Sequence, residues 1–149
     1  MKFSERLYEL ARPFYNYKPI TPNVPILYYV DINHKEYNQV INFLDKHNIG
    51  YVPIKIHERM VNEAFIHTLL QWTKNGFDDI VRKNFYNYLY PSYPYEEVKT
   101  SEMVEYIIKD YVDLLTPFIF VDTDGNMITR AVERDFIKYK GDKKWVQKN

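Results

Sequence analysis

Four histidines, His34, His47, His57 and His67, and no cysteine are what this chain of 149 residues offers for soft-ligand or nucleophilic chemistry. Without a thiol there is no disulfide, no thiolate metal site and no cysteine nucleophile. His34 has the most suggestive setting, because it follows a short apolar run and a polar turn, with Asp31 and Glu36 nearby. An imidazole there is a candidate proton donor or metal ligand, but no second histidine or carboxylate pair is spaced to join it. The plainer reading is an exposed histidine at a helix start. His57 and His67 fall on different expected elements and make no ligand set. Asp122, Asp124 and Asn126 imitate the start of a calcium loop, yet Gly125 comes one place early and no glutamate follows at the required distance. No glycine-rich phosphate loop, Ser-His-Asp order or nucleophile elbow is present. The residues therefore assign no catalytic group, no metal and no cofactor.

The elements around these residues follow from hydrophobic periodicity. Residues 26–30, ILYYV, form a strand, and Tyr37, Val40, Ile41 and Leu44 recur at helical spacing over 34–47. The stretch 48–50 stops that helix, and 51–56, YVPIKI, forms a second strand, parallel to the first across a right-handed crossover. Pro53 places that strand at an edge or a bulge. Val61, Phe65, Leu69 and Trp72 mark a helix over 61–72, ended by Asn75-Gly76, and a short helix over 77–83 follows. The aromatic stretch 85–95 reads as a loop whose rings cover the core, or as a partner-facing patch. Met103, Val104, Ile107 and Ile108 form the stripe of a helix over 103–111, capped from 100–102. Residues 116–121 make a strand opened by Pro117, the Asp-Gly pair at 124–125 sets a type I′ hairpin, and 126–130 returns antiparallel. A last helix covers 132–139. Ahead of all this, 3–11 reads as a helix carrying Phe3, Leu7 and Leu10, and 12–25 as an arm with four prolines.

At this length, with 46% hydrophobic residues, the chain supports one compact domain. The expected partition is a helix and arm over 1–24, a domain over 25–140 and a basic tail over 141–149. Basic and acidic residues balance at 20 each, so independent DNA binding is not expected. No run approaches the length of about 18 apolar residues that a membrane span needs, and charges break the N-terminus where a signal peptide is apolar, so a cytoplasmic protein is expected. Fifteen tyrosines suit partly exposed contact surfaces, although AT-rich coding would enrich them too.

The order of elements and three stretches within it resemble the Spx and arsenate-reductase (ArsC)-like branch of the thioredoxin superfamily, over about residues 25–140. ILYYVDINHKEYNQVINFLDKHNIGYV is similar to that family's first strand, active-site loop, helix and second strand. LLQWTKNGFDDIVRK is similar to the Spx segment around its Asp-Gly-Thr turn, with Leu70, Thr73, Gly76, Asp78 and Ile80 in register. DLLTPFIFVDTDGN is similar to the hairpin that the family opens with proline. The resemblance implies an α/β thioredoxin-like fold: a mixed four-stranded sheet flanked by helices, with a helical insertion between its βαβ and ββα halves. It also implies a cis Thr116-Pro117 bond close to His34.

Departures from the family pattern bear on activity. The two family cysteines fall on His34 and Tyr37, and neither imidazole nor phenol can replace an attacking thiolate and its resolving sulfur. The arginine that holds an oxyanion before the hairpin proline is Thr116 here, and a second falls near Asn84, with Arg82 and Lys83 out of register. His34, Tyr37, Thr116 and Pro117 are thus degenerate active-site positions, and arsenate reduction is not expected. The resemblance implies instead a non-catalytic transcription regulator that binds the C-terminal domain of the RNA polymerase α subunit. Gly76 would stand at the contact with Gln71, Thr73, Lys74, Asn75 and Phe77, Gln71 replacing a family arginine. A divergent paralogue or a phage-encoded copy would suit that role. Two other classes follow from the same residues: a degenerate thioredoxin-fold adaptor or virion module using 85–95, and an enzyme using His34 as acid or base.

Overall fold

The computed structural model describes residues 20–130. The helices expected over 3–11 and 132–139, the tail and most of the arm lie outside them. The described residues form two compact units, one of 20–56 with 117–130 and one of 57–116.

The first unit holds the sheet. Strand β1 (Ile26–Tyr29) leads to helix α1 (Lys35–Lys46) and strand β2 (Val52–Lys55), and the chain returns as β3 (Phe118–Val121) and β4 (Met127–Ile128). The sheet order is β2-β1-β3-β4, with β1 parallel to β2 and antiparallel to β3, and β3 antiparallel to β4. Leu27 stands opposite Phe120, and Phe120 opposite Ile128. With Phe118 they make the sheet face on which Val40, Leu44 and Ile49 pack, Tyr37, Ile41, Phe43 and Tyr51 closing the margin. Burying apolar faces of this kind is what holds strand and helix together, at about 25 cal/mol per Å² removed from water. All four residues of β3 are buried, as its apolar run FIFV requires. Pro53 lies on an edge strand as expected. Val52 and Ile56 donate inward to Pro25 O (2.8 Å) and Tyr29 O (2.8 Å), so Pro53 turns its missing N–H to the open side, which blunts the edge.

Helix α1 ends in a Schellman motif: Ile49 N–H donates to Leu44 O (2.9 Å) and Asn48 N–H to Asp45 O (3.2 Å). Asn48, at φ 54°, takes the left-handed position of this stop. The hairpin differs from the expected type I′. Thr123 and Asp124 keep negative φ, and Gly125 alone is left-handed at φ 81°. Gly125 N–H donates to Asp122 O (3.1 Å) and Asp122 N–H to Asn126 O (3.0 Å), which is a type I turn followed by a glycine bulge. The buried Asp122 carboxylate fixes that choice by accepting from Asp124 N (2.8 Å), Asn126 N (2.9 Å) and Asn126 Nδ2 (3.0 Å). A carboxylate saturated by its own loop is a turn anchor.

The Thr116-Pro117 bond is trans, correcting the cis expectation. Trans is the preferred isomer of an X-Pro bond by roughly 0.5–1 kcal/mol, and here it lets Pro117 O accept from Val30 N (3.1 Å) as β3 begins.

The second unit is helical: α2 (Glu63–Leu70), α3 (Phe77–Ile80), α4 (Lys83–Leu89) and α5 (Thr100–Leu114), with 3-10 turns at Glu58–Met60 and Tyr95–Glu97. Asn62 caps α2 by accepting from Phe65 N (2.8 Å). The helix expected over 77–83 is broken at Val81, which forms an antiparallel bridge with Leu115. Thr116 N–H donates to Ile80 O (2.9 Å) and Arg82 N–H to Leu114 O (2.8 Å), so backbone pairing with 114–116 replaces a continuous helix. The stretch 85–95 is not a loop throughout, since its first half is α4.

Candidate functional site

Two places carry the residues singled out from the sequence, and each belongs to a different unit. The first is the start of α1. The chain leaves β1 and turns on Asp31, whose Oδ1 accepts from Asn33 N (2.9 Å) and whose O accepts from His34 N (3.1 Å). His34, extended at φ −72° and ψ 136°, is the N-cap, and its Nδ1 accepts from Glu36 N at 3.1 Å. The imidazole thus spends one nitrogen on the helix end, and the neutral ring carries its proton on Nε2. Asn38 Nδ2 closes the loop by donating to Ile32 O (3.2 Å) and His34 O (3.0 Å).

Tyr37, in the first turn of α1, rests its ring 4.7 Å from that of Tyr29. Burial pushes its phenol up, and Tyr29, Tyr51 and Asp45 add to the effect. A nucleophile needs the opposite shift. Pro117 stands beside Val30, where this loop leaves the sheet, while Thr116 is buried, 5% exposed, and brings no charge. The start of α1 is a helix cap backed by the tilted ring pair of Tyr29 and Tyr37. Among the described residues, no three histidine, aspartate or glutamate side chains are grouped to hold a metal ion.

The second place is the turn 71–77. Helix α2 ends at Leu70, and Thr73, buried, donates its hydroxyl to Leu70 O (2.7 Å). Asp79, from α3, reaches back: its Oδ2 accepts from Lys74 N (2.8 Å) and Asn75 N (3.0 Å), and its Oδ1 from Asn75 Nδ2 (3.4 Å). Gly76 sits at φ 61° and ψ −133°, the first central position of a type II′ turn, which a Cβ would exclude. Asp78 N–H closes the turn on Asn75 O (3.3 Å). Gly76 therefore opens α3 and does not end α2, a correction to the sequence expectation. Of the six residues expected at a contact, Lys74 and Asn75 are exposed and Gln71 is part-exposed, while Thr73, Gly76 and Phe77 are buried. The backbone of this turn is clamped, and its two outermost side chains, Lys74 and Asn75, are exposed to solvent. Sequence reasoning missed Asp79. Its signal was a carboxylate three residues beyond an Asn-Gly pair, in the first turn of a helix.

The tyrosines of 85–95 turn inward. Tyr86, fully buried, lies 5.3 Å from Tyr90, 5.4 Å from Tyr95 and 6.2 Å from Tyr106, and Tyr90 stacks on Tyr106 at 4.2 Å. Four hydroxyls are spoken for: Tyr86 donates to Tyr93 O (2.8 Å), Tyr90 to Asp110, Tyr93 to Glu102 (2.9 Å) and Tyr95 to Asp78 (2.9 Å). Burial, then Tyr106, Tyr93 and Glu102, push the Tyr86 phenol up to about 12. Burial also raises Tyr90 and Tyr95, reinforced by Asp110 and Asp78. Tyr88, 81% exposed, is the large ring of this stretch left outward. Tyr86 and Tyr95 are core and Tyr90 and Tyr93 part-buried, which removes most of the partner-facing patch.

No family model matches this chain. No curated protein matches it either. A solved structure does: an arsenate reductase (ArsC) related protein from Brucella melitensis superposes with a TM-score of 0.58 over 79% of this chain and 95% of that one, at 12% sequence identity. The fold is ArsC-like. The mixed four-stranded sheet and its helices are those expected of the thioredoxin-like class. At this identity the likeness speaks to architecture alone. Among the described residues no helix is long and apolar enough to cross a membrane.

Proposed function

We propose that this chain is a non-catalytic binding protein of the Spx type, which docks on the C-terminal domain of the RNA polymerase α subunit through the turn 71–77. The observation that carries the reading is the occupied start of α1. His34 caps the helix, and Tyr37 packs its ring at a tilt on Tyr29 with its phenol raised, so the place where relatives keep sulfur is held by structural contacts. Function then falls to surface. The turn 71–77 supports that role because its frame is rigid and its exposed side chains, Lys74 and Asn75, offer a cation and an amide. Gln71 sits beside them, whereas Thr73, Gly76 and Phe77 shape the turn from within. Lacking a thiol switch, the protein acts constitutively, as a divergent paralogue or a phage-encoded copy would.

Calorimetric titration of the α C-terminal domain with the full chain tests this. Wild type binds, and Lys74→Glu, which leaves the buried frame untouched, weakens binding about tenfold, ~1.4 kcal/mol. Absence of heat with folded wild type overturns the reading, as does equal affinity for the variant.

A further inference from the structure

The chain contains one Asn-Gly pair, Asn75-Gly76, and one Asp-Gly pair, Asp124-Gly125. Both stand in turns, and both glycines have positive φ, 61° and 81°. Their backbone nitrogens differ. Gly125 N–H is tied to Asp122 O at 3.1 Å. Gly76 N–H donates to no acceptor among the described residues, and Asn75 before it is exposed. The Asn75 side chain is meanwhile folded back over its own turn, its Nδ2 on Asp79 Oδ1 at 3.4 Å.

From this contrast we infer that Asn75 is a site of spontaneous deamidation, a water-dependent modification that switches the turn 71–77 off. The chemistry is redox-neutral and balanced. The Gly76 amide nitrogen gives up its proton and attacks Asn75 Cγ. An N–Cγ bond forms, the Cγ–Nδ2 bond breaks, and the side-chain nitrogen leaves with that proton as ammonia. Water then opens the five-membered imide at either carbonyl, leaving aspartate or isoaspartate at 75. Glycine favours the step because no Cβ shields its nitrogen.

The consequences follow from the frame already described. A carboxylate at 75 loses the donor to Asp79 and faces the Asp79 carboxylate, so that like charges replace a hydrogen bond. Isoaspartate adds a backbone carbon to a turn whose closure Gly76 and the buried Phe77 depend on. That this disables partner docking rests on the proposed function. The modification itself does not.

The full chain is incubated in mildly alkaline buffer and digested, and each asparagine is followed by mass and by isoaspartate content. Conversion at Asn75 is expected to exceed that at every other asparagine, none of which precedes glycine, by at least about tenfold. Asp124 is expected to stay unisomerised. Equal rates at Asn75 and elsewhere, or isomerisation at Asp124 ahead of Asn75, overturn the site. For the switch, Asn75→Asp is expected to lower the thermal midpoint and weaken α C-terminal domain binding about tenfold, where Asn87→Asp, an exposed asparagine outside the turn, keeps binding. Unchanged binding by folded Asn75→Asp overturns the switch. If wild type itself fails to bind that domain, the docking reading is what fails, because conversion is read separately by mass.

Discussion

The two units bury their aromatic residues in different ways. In the sheet unit, Phe118 and Phe120 meet Leu27, Val40 and Leu44 with no polar atoms among them, and the polar work is done by short loops: Asp31 and His34 at one end, Asp122 at the hairpin. In the helical unit Tyr86 is fully buried beside Phe77 in the same interior, and the tyrosines around Tyr86 aim hydroxyls at carboxylates and carbonyls. A phenylalanine core asks only for shape. A tyrosine core asks for shape and for a partner at every tip, so the helical unit gains specificity from polar contacts that the sheet unit does not need. Tyr86 and Tyr95 thereby belong to the interior, and the clamped turn 71–77 is the surface proposed for binding.

Substitutions can break this contrast in order of size. Tyr86→Ala should cost ~3–5 kcal/mol, read by urea unfolding, because it empties the centre of the ring cluster. A loss below about 1 kcal/mol would mean that the cluster contributes no more than an ordinary hydrogen bond. Asp122→Ala should cost ~1–3 kcal/mol, since it strips acceptors from three donors of the hairpin. His34→Ala should cost ~0.5–2 kcal/mol through the lost cap, and His34→Asn, which can still accept at that place, should restore most of it. Tyr86→Phe sharpens the first comparison, with an expected ~0.5–1.5 kcal/mol for the bond to Tyr93 O alone.

Alkaline titration should read the buried Tyr86 phenol directly. The Tyr86 phenol is raised in the folded state, to about 12 from the ordinary 10, so folding favours its protonated form. Its contribution is intact below pH 10 and is lost as pH climbs from there toward 12, because the unfolded chain releases that proton first. Stability should therefore fall over that window, and Tyr86→Phe should flatten the fall. A stability that rises with pH there would contradict the sign.

Much of this was legible in the sequence where apolar period and local chemistry agree. The strand at 26–30, the helix at 34–47 and the parallel second strand follow from alternation and a helical stripe, and they occur within a residue or two at each end. The misses share a cause, which is that a side chain or a distant backbone decided the local form. Asp122 turned an Asp-Gly hairpin from type I′ into a type I turn with a bulge. Leu115 drew Val81 out of a helix. The tyrosines of 85–95 looked like loop because their partners, Asp78, Glu102, Tyr106 and Asp110, lie elsewhere in the chain. At the candidate sites, residue types revealed what the start of α1 lacks, but only coordinates revealed what occupies it. The same holds for Gly76, whose positive φ was expected and whose role in opening α3 was not.

Hydrogen exchange of the full chain with and without RNA polymerase addresses the central claim most directly. Slowed exchange is expected at the amides of 71–77 alone, Asn75 among them, with the start of α1 unchanged. Polymerase that alters no amide in the chain, or that protects the α1 start and leaves 71–77 as it was, would contradict it.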